Sequence, residues 1–211
     1  DNKFKKIVKI NDDETKESQD IINSSLSYLI FLPEMERLFQ SSPSFRRNFV
    51  DRLIFSENNN YNKLINKYKK NINERTKILQ NDHMDSDWIK LIESEISKLG
   101  LEIYQLRKSQ LDNLNKNIII LNKLNEYYLK IYFKIEDSFF NESLNNEIYT
   151  KALLQSREFD KKFGGSKIGP HKSDIVANIN NNFNASQLST GQQKTVVLMM
   201  LLAQCYNLIN F

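Results

Sequence analysis

The chain has 211 residues, 40% of them hydrophobic and 27% charged, a globular balance that excludes a disordered or collagen-like polypeptide. Its net charge of +4, from 30 basic against 26 acidic side chains, permits a basic face without demanding one. A lone cysteine, Cys205, excludes a disulfide framework and reads as a core thiol. The apolar run from Thr195 to Ala203 is too short to span a membrane and gives way to Gln204 and Asn207. With no signal-peptide pattern, the expected compartment is cytoplasmic.

From the N-terminus, Lys3 to Ile10 mixes apolar and basic residues and reads as a strand, turned by Asn11-Asp12-Asp13. Leu26 to Leu32 is a compact apolar run stopped by Pro33, as in a buried strand. Pro43 suits a first helical position with Ser42 as N-cap, and Asn58-Asn59-Asn60 breaks that helix. From Tyr61 to Leu79, the residues Leu64, Ile65, Tyr68, Ile72 and Leu79 recur at helical spacing, with Lys63, Lys67, Lys69, Lys70 and Arg75 between them.

Past Asp85 runs the longest stripe: Trp88, Ile92, Ile96, Leu99, Ile103, Leu106, Leu114, Ile118, Leu121, Tyr128, Ile131 and Ile135. Heptad spacing holds through Leu106 and then slips, which predicts a long packed helix with Gly100 as a candidate kink. Folded back on the Tyr61 helix, it forms a short helical arm. Glu147 to Phe163 is a further predicted helix, closed by Gly164-Gly165. Asp174 to Ile179 reads as a strand, Asn180 to Asn182 as its turn, and Ser186 to Ser189 as the loop into a final apolar helix.

The entry to that helix, Gln187-Leu188-Ser189-Thr190-Gly191-Gln192-Gln193-Lys194, carries the most chemistry. Ser189 and Gln192 stand at capping-box spacing. Gly191 in the first turn is unfavourable by about 1 kcal/mol against alanine, and its missing side chain opens the free N–H groups to a ligand or another backbone. Free donors and the macrodipole make such a helix start an anion site. The plain alternative is a capped helix entering a core.

Other candidates carry two readings each. Arg47 and Asp51 stand at i,i+4, worth a few tenths of a kcal/mol, yet Arg46 and Arg47 equally suit phosphate or DNA. Glu34 is either a first-turn carboxylate favoured by the dipole or a functional group. His171, after the turn-forming Gly169-Pro170, is structural or nucleotide-facing. Lys69 and Lys70, and Lys172 with Lys161, Lys162 and Lys167, form solvated faces by default or contact phosphates without reading sequence. His83 lies between aspartates without a third well-spaced ligand, so no metal site is expected.

Three segments share the pattern of one family. Leu188-Ser189-Thr190-Gly191-Gln192-Gln193-Lys194 is similar to the signature motif of ABC-type ATPases. Phe31-Leu32-Pro33-Glu34, followed by Ser42-Pro43-Ser44-Phe45-Arg46-Arg47-Asn48-Phe49-Val50-Asp51, is similar to a Pro-Glu pair ahead of a Pro-x-x-Arg-Arg-x-Phe-x-Asp run. Gly169-Pro170-His171-Lys172-Ser173-Asp174-Ile175 is similar to a Gly-Pro-His-basic-x-Asp-Leu element. In this order they resemble the RecF family of bacterial recombinational repair, over nearly the whole chain.

The resemblance implies part of an α/β ABC-type ATPase head with an inserted helical, short coiled-coil-like arm domain. Residues 1–40 would belong to the head, 41–140 to the helical insertion, and 141–211 to the head with its signature. It implies ATP with Mg²⁺ in an ATP-dependent homodimer, with Ser189, Thr190, Gly191, Gln192, Gln193 and Lys194 meeting the other subunit's nucleotide. Glu34, Arg46, Arg47 and His171 would be nucleotide-side or head contacts, and Lys69, Lys70 and Lys172 DNA contacts. The implied partners are single-stranded or gapped DNA and RecR- and RecO-type proteins, in replication restart and the SOS response.

No Gly-x-x-x-x-Gly-Lys-[Ser/Thr] loop occurs, since Gly164-Gly165-Ser166-Lys167 has the wrong spacing, and no acidic strand end follows the signature. With Asp1 in place of a methionine and an end at Phe211, the expectation is an internal segment that hydrolyses nothing alone. Another SMC-like ATPase is a second reading, against which the short arm and the Gly-Pro-His element count. A non-enzymatic helical DNA-binding or scaffold module is a third.

Overall fold

A computed structural model of the protein describes residues 15, 29–81, 86–124, 130–180 and 183–209. The readings placed on Lys3–Ile10, Asn11–Asp13, Leu26–Tyr28, His83, Tyr128 and residues 181–182 lie outside these. The described end of the second predicted strand, Leu29 to Leu32, is not a strand: Ile30 is 57% exposed and Phe31 37%. It leads into a 3₁₀ segment, Pro33–Gln40, which buries Met35, Leu38 and Phe39.

Helix α1 (Pro43–Glu57) starts as its sequence predicts, with the Ser42 hydroxyl accepting from the Phe45 N–H at 3.4 Å. It buries Phe49, Val50, Leu53 and Ile54. Helices α2 (Tyr61–Gln80) and α3 (Ser86–Leu124) lie antiparallel, joined by ion pairs from Lys67 to Glu95 at 2.8 Å and from Arg75 to Glu93 at 2.9 Å. At 39 residues α3 is about 58 Å long. It runs unbroken through Gly100, whose role is a close approach: a Cβ there would stand 2.6 Å from the Tyr149 ring. Trp88 falls outside the packed stripe, 48% exposed.

Ile131 and Ile135, read as the end of that helical stripe, lie instead in strand β1 (Ile131–Glu136). A four-residue spacing keeps two side chains on one face in a helix and in a strand alike, so the pair does not discriminate. The buried Phe133 between them does. β1 pairs antiparallel with β2 (Asp174–Ile179), from Ile131↔Ile179 to Glu136↔Asp174, and β3 (Phe183–Asn184) extends the sheet. Buried Asn115 of α3 satisfies both backbone groups of Phe133, accepting from its N–H at 2.8 Å and donating to its carbonyl at 2.9 Å.

Helix α4 (Asn146–Phe163) is capped by Asn145, which accepts from the Ile148 N–H at 2.9 Å, and ends at Gly164 with φ 75°. A 3₁₀ turn, Ala185–Gln187, takes the first two residues of the predicted Ser186–Ser189 loop before α5 (Thr190–Ile209).

Two apolar clusters organise these elements. One joins the Pro33–Gln40 segment, α1, α5, both long strands and the C-terminal half of α3. The other joins Tyr68 of α2, Ile96 to Tyr104 of α3, and Tyr149 and Leu153 of α4. α3 is therefore the shared spine, and α4, which the sequence groups with the C-terminal part, packs on α2 and α3. The Cys205 expectation is corrected: the thiol is exposed, on the side of α5 that also exposes Leu198, Leu202 and Ile209. α5 is apolar on more faces than the described residues cover.

A buried ion cluster locks the second cluster together. Arg75, read among the solvated lysines, is 1% exposed. It donates to Glu93 at 2.9 Å, to Asp160 at 2.7 Å and to the Leu153 carbonyl at 2.7 Å. Arg157 closes the group on Glu93 at 2.6 and 3.0 Å. Such a set holds its charge only because every fork is matched.

Candidate functional site

The start of α5 has the geometry its sequence predicts. The Gln192 carboxamide oxygen accepts from the Ser189 N–H at 3.0 Å and from the Ser189 hydroxyl at 3.1 Å, while the Gln192 N–H donates to that hydroxyl at 3.4 Å. Helix geometry leaves the N–H groups of Thr190 and Gly191 without intrahelical acceptors. Ser189, Thr190, Gly191 and Gln192 are all exposed, and a Cβ built on Gly191 meets no atom within 4 Å. An incoming anion has an open path to these donors.

The remaining motif residues brace this turn. Gln193 is buried and donates to the Leu188 carbonyl at 2.8 Å, holding the preceding loop against the helix. Lys194 reaches Glu36 at 2.7 Å, tying the helix to the Pro33–Gln40 segment. Glu34 itself is exposed, and its neighbour Glu36 makes that link.

Arg46 and Arg47, adjacent on α1, serve different surroundings. Arg46 meets Asp174 through two parallel bonds of 2.7 Å and donates to the Ser41 carbonyl at 2.5 Å, so its fork is committed to joining α1 to β2. Arg47 donates to the Ser173 carbonyl and lines a cavity of about 240 Å³. Burial, and then the nearby Arg107 guanidinium, lower its pKa. Asp51 is not the helix partner of Arg47 that its spacing suggests. It takes two of the bonds of Arg107, at 2.8 and 2.9 Å, and the Tyr61 hydroxyl at 2.7 Å. Burial opposes the charge on Arg107, yet the Asp51 bonds outweigh it and raise the pKa.

His171 stands at the same cavity. Its Nε2 donates to the Ser166 carbonyl at 3.0 Å, so Nδ1 accepts from the Tyr68 hydroxyl at 2.8 Å, and Tyr149 lies 3.3 Å behind Tyr68. Burial pushes the imidazole down to about 4, so the ring is neutral at physiological pH. Gly169 passes directly over the tyrosine pair, with φ 124° and a would-be Cβ 2.3 Å from each hydroxyl.

The cavity thus brings together Arg47, Lys69 and His171 from three separated sequence segments, while none of Ser189 to Lys194 lines it. Lys70 and Lys172 are exposed and lie off its lining. Arg107, Tyr61 and Tyr149 were missed by sequence reading. The available signal was a charged residue inside the longest apolar stripe, one step past Leu106.

No protein-family model matches the chain. It is 32% identical over 194 residues to the DNA replication and repair protein RecF of Rickettsia massiliae, which covers 90% of this chain and 54% of that protein. The same protein of Rickettsia felis is 32% identical over 195 residues, covering 90% and 53%. These matches support reading the chain as part of a RecF-like protein. It spans about half the length of the curated relatives it matches. Two solved structures share the fold at a TM-score of 0.76. They are described as the recombination mediator protein RecF with ATPrS and with ATP in the RecFOR pathway, at 22% and 23% identity. They align with 94% and 95% of this chain and with 55% and 56% of their own. The fold is accordingly the one these structures share, mostly helical with a small antiparallel sheet, and is consistent with part of an ATPase head plus a helical arm. None of the described helices is long and apolar enough to cross a membrane.

Proposed function

We propose that this RecF-like chain is the signature-bearing part of an ATP-dependent DNA-binding repair protein that dimerises around nucleotide. The observation that carries the reading is the open, capped start of α5, where Ser189, Thr190 and Gly191 present free donors with no side chain in the way. These residues suit a phosphate approaching from a second subunit, since the site offers donors and no carboxylate of its own. The Gly191 opening fits such a group sterically. ATP would supply the negative charge that bridges the subunits, with Mg²⁺ and the phosphate-cradling loop contributed by other parts of the head. In this reading Gln193 and Lys194 hold the turn in shape, Arg46 and His171 keep the surrounding elements in register, and the exposed Glu34 and half-buried Arg47 are left for nucleotide-side or head contacts.

The proposed division follows the sequence boundaries, head at 1–40 and 141–211 and helical insertion at 41–140, modified by the packing of α4 on the arm side. The exposed Lys69, Lys70 and Lys172 suit contacts with DNA phosphates, single-stranded or at gaps. RecR- and RecO-type proteins are the proposed partners, and replication restart and the SOS response the setting. Sedimentation of the full-length protein with and without ATP tests the core of the reading. An ATP-dependent dimer is expected, and a monomer at saturating ATP overturns it.

A further inference from the structure

The cavity between α1, α2, α3 and the Gly169-Pro170-His171 turn is not used by the signature reading. Three of the side chains around it are cationic, Arg47, Lys69 and Arg107, and Asp51 is the acid among them. That acid is consumed: both its oxygens are held by Arg107, and one also accepts from Tyr61. Asp51 makes no hydrogen bond to Arg47, which donates instead to the neutral Ser173 carbonyl and feels the Asp174 and Asp51 carboxylates only at longer range. Lys69 makes no ion pair among the described residues, in contrast to Lys67 on the same helix, which reaches Glu95 at 2.8 Å. Ser44 and Asn48 add a hydroxyl and an amide on the α1 face that carries Arg47. Ile65, Ile103 and Pro170 form apolar wall, which strengthens electrostatic attraction by lowering the local dielectric. At about 240 Å³ the space exceeds several times the roughly 30 Å³ share of one water.

We propose that this cavity is a seat for a phosphate group, carried either by a nucleic-acid backbone or by a free nucleotide. Arg47 supplies a planar fork suited to two phosphate oxygens, Lys69 a point charge at the mouth, and Ser44 and Asn48 neutral polar groups. Arg107 holds the floor through Asp51 and adds its charge from below. Two charges in excess of the single carboxylate are left for an anion to balance.

The test uses the full-length protein. Its thermal unfolding is followed in inorganic phosphate and in chloride at equal ionic strength. Phosphate should raise the midpoint of the parent, because a ligand that binds only the folded state stabilises it. Lys69→Gln should shift the half-saturating phosphate concentration up by about tenfold, the loss expected for one charged contact. Lys63→Gln removes the same charge from the same helix, off the cavity, and should leave the response intact. Arg47→Gln should abolish it. Since Arg47 also bonds Ser173, the comparison of the Lys69 and Lys63 variants decides the matter if the arginine variant fails to fold.

Parallel titrations with fluorescent DNA and with ATP identify the source. Weaker DNA binding by Lys69→Gln, with a log–log salt slope shallower by about 0.7 to 0.9, assigns the seat to the backbone. Weaker ATP binding alone assigns it to a nucleotide. No phosphate response in the parent, equal behaviour of the two lysine variants, or unchanged binding of both DNA and ATP overturns the proposal. The DNA arm rests on the reading given under Proposed function and the phosphate arm does not. A parent that binds no DNA but keeps its phosphate response refutes that reading alone.

Discussion

Tyr68 and His171 are joined across 103 residues of sequence by a 2.8 Å hydrogen bond in which the phenol donates to Nδ1. The bond exists only while the imidazole is neutral, because a protonated ring has no acceptor to offer. Burial, assisted by the charges of Lys172, Arg47 and Arg107, lowers the histidine to about 4, while the Ser166 carbonyl pulls the other way.

This fixes the sign of a pH effect. Between pH 6.5 and about 4 the unfolded chain binds a proton that the folded chain refuses, so stability contributed by neutral His171 is present above 6.5 and lost as pH falls. The contribution amounts to about 3 kcal/mol at most. His171→Gln should flatten that part of a plot of unfolding midpoint against pH in the full-length protein. An identical slope in parent and variant contradicts the assignment.

Gly169→Ala should be among the most damaging single changes around the Tyr68–Tyr149 pair. The backbone angle is one that side chains rarely adopt, and the new methyl would collide with both tyrosine hydroxyls at 2.3 Å. A loss of at least about 2 kcal/mol is expected in denaturant unfolding. Gly164→Ala has open space around it despite φ 75°, and should lose only about 1 kcal/mol.

Arg75→Met would leave Glu93 leaning on Arg157 alone and Asp160 with neutral partners only, both in the protein interior. Breaking a buried pair by removing one side is worth about 3–5 kcal/mol. Thermal unfolding should report that loss, whereas Lys67→Met, at an exposed pair, should stay within about 1 kcal/mol of the parent.

Gly191→Asp tests the signature directly. A carboxylate there faces the site where a phosphate is proposed to dock, and like charges about 4 Å apart repel by around 4 kcal/mol at an effective dielectric near 20. In the full-length protein, ATP binding to the monomer should survive while ATP-dependent dimerisation fails, read by sedimentation beside a nucleotide-binding assay. Gly191→Ala, which meets no atom, should retain folding stability.

Local structure was legible wherever short-range chemistry decides it. Ser42 and Pro43, the Ser189–Gln192 box, the helix end at Gly164 and the strand from Asp174 to Ile179 follow from residues within a turn of one another, and all stand as their sequence predicts. The motifs that led to the family are of the same kind, being runs of neighbours.

Only the tertiary structure decided what each charged or polar side chain faces. Arg47 looked like the helix partner of Asp51, but Arg107, 56 residues from Asp51, takes that carboxylate. Arg75 looked like one more cation on a basic helix and is buried in a four-residue ion cluster. Ile131 and Ile135 matched a helical period that a strand satisfies equally, until Phe133 found Asn115 and β2. Cys205 sits on an apolar helix whose outer side the described residues leave open. Sequence alone determined the caps and the order of the motifs, because those free energies are local. The pairing of charges, the strand's partners and the cavity at Arg47, Lys69 and His171 depend on groups brought together by folding, which no spacing along the chain encodes.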